Sequence, residues 1–292
     1  MRRLLPVALA LLALAGCSAK PAANDADPAL WVVRDDDTTI YLFGTVHMLK
    51  PGISWFDESV KAAFDKSDTV MLEVVLPGDA EMGALVAELG TSASGPSLPE
   101  QLSAEDAQKL RKALEGLGMA PTALDRSEPW LAATLLASMP LQKLGYTSKD
   151  GAEAVLTAAA KKAGKPVAGF ETAREQLGYF DGLSMAAQRA LLAETIRGLP
   201  DAGKTLEQAV SAWSAGDADR LAALINDDVA ASPEVADALL FKRNQRWADW
   251  IAKRMAQPGT VFVAVGAGHL AGNAGVQAEL AKRGMTVERV AY

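Results

Sequence analysis

Cysteine is nearly absent: Cys17 is the only one in 292 residues. A single cysteine forms no internal disulfide and no cysteine metal cluster. Histidine is almost as scarce, with only His47 and His269. A metal site made of imidazoles alone is therefore excluded, and Asp or Glu must complete any such site. No Gly-x-Ser-x-Gly elbow occurs, so a Ser- or Cys-based triad has no evident nucleophile. The longest apolar run, Leu4 to Ala15, has twelve residues, short of the roughly 20 that span a bilayer. No stretch is rich enough in Gln, Ser or Pro to predict long disorder. Positive charge is in deficit, with 29 Lys and Arg against 36 Asp and Glu. An acidic surface repels phosphate backbones, which argues against nucleic acid as a partner.

The first apolar run has its own meaning. Arg2 and Arg3 precede it, and small residues end it, the pattern of a secretory signal. Its end, Leu14-Ala15-Gly16-Cys17, resembles the bacterial lipoprotein box, in which the cysteine is lipidated and becomes the first mature residue. The alternative is ordinary cleavage that leaves Cys17 a free thiol. We read residues 1–16 as the signal peptide, 17–29 as the lipidated cysteine and a flexible Pro- and Ala-rich tether, and 30–292 as one domain. Removing Arg2 and Arg3 takes the formal charge from −7 to −9, so the lipid would do the anchoring. Ser18 is not the Asp that usually signals inner-membrane retention. By that resemblance the protein is expected at the outer membrane, facing the periplasm.

From Leu30 onward, short β-type runs alternate with helical stretches. Trp31–Arg34 and Thr38–Val46 predict a hairpin across an Asp-rich turn. Thr69–Leu76, Lys165–Glu171, Thr260–Gly268 and Thr286–Tyr292 predict further strands. The unbroken apolar run Val261–Val265 suits a strand buried on both faces. Helices are expected from Ser103 to Leu117, from Pro129, from Ala152 to Ala163, from Ser184 to Arg197, from Thr205 to Ala215, from Pro233 to about Met255, and from Gly272 to Arg283. The fold class is α/β: a central mixed, largely parallel sheet built from strands at both ends of the chain, with a helical middle insertion.

Both histidines end an apolar run three residues after a glycine, in Gly44-Thr45-Val46-His47 and Gly266-Ala267-Gly268-His269. Ligands of α/β sheets bind outside the carboxyl ends of strands, so the pair reads as one shared site. Two neutral imidazoles and a carboxylate make a recognised catalytic zinc set with an open position. Glu73 is the leading carboxylate, because a charged group inside "VMLEVVL" is costly unless paired or coordinated; the alternative is an edge strand with Glu73 facing water. Glu171 ends "KPVAGFE" and serves either the site or the next helix as a cap. Arg243 and Asn244 lie in "RNQRWADW". Arg243 either holds a substrate carboxylate or oxyanion, or is a salt-bridged residue shielding Trp247.

Together "YLFGTVHMLKPG", "MLEVVLP", "EPWLAA", "GKPVAGFETAREQL", "AWSAGD", "RNQRWADWI" and "FVAVGAGHLAGNAGV" resemble the TraB/GumN family, which is related to the Tiki metalloproteases and to the erythromycin esterase/ChaN-like fold. The resemblance runs through nearly all of residues 30–292. It implies converging histidines and, from the Tiki branch, a divalent-metal peptidase supported by manganese or cobalt. On that basis His47, His269 and Glu73 are the expected metal ligands. Glu73 and Glu171 are candidate bases, and Arg243 and Asn244 position the substrate. The expected activity is that of a lipid-anchored envelope hydrolase that uses one divalent ion (manganese, cobalt or zinc) on a peptide or other small substrate. The alternative is a non-catalytic lipoprotein that captures a peptide or haem-like ligand.

Overall fold

The computed structural model describes residues 24–230 and 232–292. The expected signal peptide and Cys17 lie outside the described residues. Among the described residues six strands form one mixed sheet: β1 (Leu30–Arg34), β2 (Thr38–Thr45), β3 (Thr69–Val74), β4 (Val167–Glu171), β5 (Gly259–Gly266) and β6 (Glu288–Arg289). Their order is β4-β3-β5-β2-β1-β6. The β4/β3, β3/β5 and β5/β2 pairs are parallel, whereas β1 runs antiparallel to both neighbours. The helices are α1 (Glu58–Lys66), α2 (Asp79–Gly90), α3 (Ala104–Gly116), α4 (Pro129–Lys143), α5 (Ala152–Ala163), α6 (Ala173–Asp181), α7 (Met185–Gly198), α8 (Ala202–Ser214), α9 (Ala218–Ala230), α10 (Pro233–Ala236), α11 (Lys242–Arg254) and α12 (Val276–Lys282). This is the α/β class expected, with a mostly parallel sheet.

Local chemistry accounts for many boundaries. Ser103 caps α3 by accepting from the Asp106 N–H, Pro129 opens α4, and Gly164 ends α5 in the left-handed region at φ 66°. The sheet is covered on both sides, as its patterning requires. Phe43, Phe262, Ala264 and Leu72 pack with residues of α1, α5 and α8 on one face. Leu42, Val261, Val263 and Val265 pack with Trp247 and Ile251 of α11 and Leu280 of α12 on the other. A separate cluster, including Leu110, Leu136 and Leu192, fills the helical middle between α3, α4 and α7.

Four expectations need correction. Residues 24–29 are not free tether: Ala26 is buried and its N–H donates to Ser54 O, while Asp27 N–H donates to Ser214 O. The folded part thus begins at least six residues before Leu30. The last strand shortens to Glu288–Arg289, which pair with Val32 and Trp31 of β1. The helix expected from Pro233 is interrupted by a π-turn at Asp237–Phe241. The last helix begins at Val276 rather than Gly272, which sits at φ 72°, outside helical backbone space. Helices α1, α2 and α9 had not been anticipated.

Candidate active site

The candidate site lies at the carboxyl ends of β3, β5 and β2, between the two helical layers. In-register pairing of β2 with β5 sets Thr45 beside Gly266, so each histidine leaves the sheet from an adjacent strand. Gly266 marks where the groups converge. A Cβ placed there would lie 3.3 Å from Glu73 Oε2, 3.5 Å from His269 Cδ2 and 3.8 Å from His47 Cε1. A larger residue at this position would fill the point the three side chains face.

Glu73 is not on an edge: β3 lies between β4 and β5, and the side chain is 7% exposed. Its Oε2 accepts from Gly266 N–H at 3.0 Å. Its Oε1 accepts from Gln176 Nε2 at 2.7 Å and from Arg243 Nη2. Burial pushes this carboxyl up, but neighbouring positive charge outweighs it and holds the pKa down, at about 2. At neutral pH that charge comes from the Arg243 guanidinium and the protonated His47 ring, because His269 is uncharged.

Glu171 does not cap the helix that follows it. Thr172 and Glu175 form that capping box, and Glu171 turns inward to Arg243. There Arg243 Nε donates to Glu171 Oε1 at 2.9 Å and Nη2 donates to Oε2 at 2.8 Å, a bidentate pairing. Arg243 Nη1 donates to Leu239 O at 3.0 Å and faces His269 Nε2 at 3.1 Å. Leu239 lies in the π-turn, and such turns occur frequently at functional sites. The guanidinium also stacks 4.8 Å over the Trp247 ring. Every N–H of Arg243 is therefore taken, and none is free for a substrate carboxylate as the side chain stands. This is the salt-bridged, Trp-covering arrangement.

Asn244 orients His269. Its Nδ2 donates to Ala274 O at 2.8 Å, which points Oδ1 at His269 Nδ1, 2.6 Å away. That network assigns the proton to Nδ1 and leaves a lone pair on Nε2. Burial pushes the His269 pKa down to about 3. The unfolded chain binds a proton below about pH 6.5 that the native ring refuses, so this contribution is present above 6.5 and is lost as pH falls toward 3. Between about pH 5 and 6, unfolding free energy should drop by about 1.4 kcal/mol per unit through this ring alone. Denaturant titrations of wild type and His269→Gln test this; an unchanged slope in the variant contradicts the assignment.

His47 differs from His269 in being open to solvent, with a side chain 70% exposed. Its Nδ1 lies 2.6 Å from Glu153 Oε1, and Thr45 Oγ1 donates to the same oxygen at 2.6 Å. The Glu153 carboxylate raises the His47 pKa, although water screens this pair more than it screens Glu73 and Arg243. The Ala152 N–H donates to Val46 O, docking the first turn of α5 against the end of β2. Gly151 permits this contact, since a Cβ there would come within 2.1 Å of His47 O.

The structure thus brings together His47, Glu73, Glu171, Arg243, Asn244 and His269. It adds Glu153 and Gln176, which sequence reasoning missed: a first-turn acid such as Glu153 is common in any helix, and Gln176 carried no signal. Among the described residues, no three His, Cys, Asp or Glu side chains stand arranged to hold a metal ion, and Arg243 occupies the space next to His269 Nε2.

Comparison with known proteins agrees with the sequence resemblance. The family model described as TraB/PrgY/gumN family matches residues 29–289. The uncharacterized protein YbaP of Escherichia coli (strain K12) is 26% identical over 249 residues, covering 84% of this chain and 89% of YbaP. The uncharacterized protein YbaP of Shigella flexneri matches to the same extent. No solved structure matches the chain. With a family match running through nearly all the described residues, the chain belongs to the TraB/PrgY/gumN family.

Proposed function

We propose that the protein is a divalent-metal-dependent hydrolase acting on peptides, anchored in the cell envelope by a lipid on Cys17. The observation that carries the metal site is the convergence of Glu73, His269 and His47 on one point above Gly266. The donor chemistry suits a divalent ion. Each ring has its Nδ1 held by an acceptor, Glu153 or Asn244, the usual support that aims Nε2 at a metal. Glu73 and Glu171 share one buried guanidinium and Glu153 pairs with His47, so the three carboxylates and the arginine leave a net charge of −2 when both rings are neutral. Arg246, half-exposed and 3.6 Å from Glu171, offsets part of this at the rim.

His47 Nε2, His269 Nε2 and Glu73 Oε2 would hold the ion, which when bound supplies Lewis-acid polarisation and an acidified water. This chain's residues do the rest. Glu153 and Thr45 fix the His47 ring, Asn244 fixes the His269 tautomer, and Glu171 anchors Arg243. The Leu14-to-Cys17 box supports the envelope anchor. No helix among the described residues is long and apolar enough to cross a membrane.

A second reading rests on the grip of Arg243 on His269. In it no metal enters, and the exposed His47 Nε2, backed by Glu153, is itself the general base for water once its ring has lost its proton. Calorimetric titration of purified protein with zinc, manganese and cobalt separates the two. The metal reading expects about one ion per chain, release of about one proton from His47, and peptide-library hydrolysis abolished by chelator. Hydrolysis that survives chelation overturns it and leaves the His47–Glu153 pair.

A further inference from the structure

We infer that the Arg243 guanidinium is the resident cation of this site, and that a divalent ion enters only by displacing it from Glu73 and His269. The inference rests on the metal reading above. Arg243 is 6% exposed, and its partners include two of the three groups assigned to the metal. Nη2 is held by Glu73 Oε1, and Nη1 faces the His269 Nε2 lone pair at 3.1 Å. A guanidinium cannot share that lone pair with a metal, and two cations packed there repel strongly in a buried setting.

The arginine has somewhere to go. Its Nε and Nη2 are tied to Glu171 at 2.9 and 2.8 Å, a carboxylate not assigned to the metal. The Tyr179 ring lies 5.4 Å from its Cζ, a second cation-binding surface. Keeping the Glu171 pairing while releasing Glu73 and His269 frees both ligands without leaving either carboxylate without a positive partner. Glu171 then acts as a positioning residue, the pivot that retains the arginine. Because part of the metal's binding free energy goes into that displacement, its apparent affinity falls by the fraction of molecules in which Arg243 has swung away.

The test is a zinc titration read two ways. In wild-type protein, nitrogen NMR follows the Arg243 guanidinium and the His269 Nε2 signals. In Arg243→Lys, whose single ammonium cannot grip Glu171, Glu73 and His269 together, calorimetry reads affinity. We expect zinc to shift both nitrogen signals at one stoichiometric point, and Arg243→Lys to bind zinc at least about ten-fold tighter. Zinc binding by the variant alone also supports displacement. Wild-type binding with undisturbed guanidinium signals, or with equal or weaker affinity in the variant, overturns it. Absence of zinc binding in both proteins instead removes the metal reading and the inference with it.

Discussion

Arg243→Leu is expected to lower the melting temperature by about 6–20 °C, the equivalent of about 3–5 kcal/mol for breaking a buried ion network in a domain of this size. The change deletes the positive charge buried with Glu73 and Glu171, whose side chains are 7% and 3% exposed. Two buried carboxylates would then lose the guanidinium they share, with only the half-exposed Arg246 left near Glu171, which is the costly half of such a network. Removing the network as a whole should cost far less. Adding Glu73→Gln and Glu171→Gln to Arg243→Leu should therefore recover most of the loss, because neutral amides need no counter-charge and the Glu73→Gln amide retains an acceptor for the Gly266 N–H. Calorimetric scans of the single and triple variants check this. A triple variant as unstable as Arg243→Leu would mean that the arginine stabilises through its contact with Trp247 and the Leu239 carbonyl rather than through charge.

His47→Ala is expected to show the opposite profile. Peptide hydrolysis should fall by about 100- to 10,000-fold, the range for losing a positioned acid–base group, and a metal-ligand role demands at least as much. Stability should move by no more than about 1 kcal/mol, since the ring is mostly exposed and Glu153 retains the Thr45 hydroxyl. His269→Ala should lose activity and stability together, because it opens a cavity beside Trp247, 4.5 Å away between ring centroids. The two histidines thus separate a functional from a structural contribution. Full activity in His47→Ala would remove this histidine from the chemistry under either reading of the site.

Much of the fold was legible because local rules and tertiary outcome agree. The β5 run reads as a doubly buried strand, and Val261 to Gly266 are buried. The Ser103, Pro129 and Gly164 signals stop or start helices where the structure does. The misses have local causes. Capping and apolar periodicity do not reveal a π-turn, so the helix after Pro233 read as continuous. Asn24 to Ala29 have a tether's composition, yet their backbone finds partners at Ser54 and Ser214 that are remote in sequence.

By itself the sequence determined that two Gly-x-x-His motifs end two apolar strands, that Glu73 sits where a carboxylate needs a partner, and that the family is TraB/PrgY/gumN. Only the tertiary structure decided what those groups face. Strand order put β2 beside β5, and the turn of α11 put Arg243 between Glu73, Glu171 and His269. The contact of α5 with the end of β2 gave His47 its carboxylate from Glu153, 106 positions away. Spacing along a chain specifies which face or strand end a side chain occupies, but charge pairing depends on distances of about 3 Å between atoms far apart in sequence. Those distances arise when the helices pack onto the sheet.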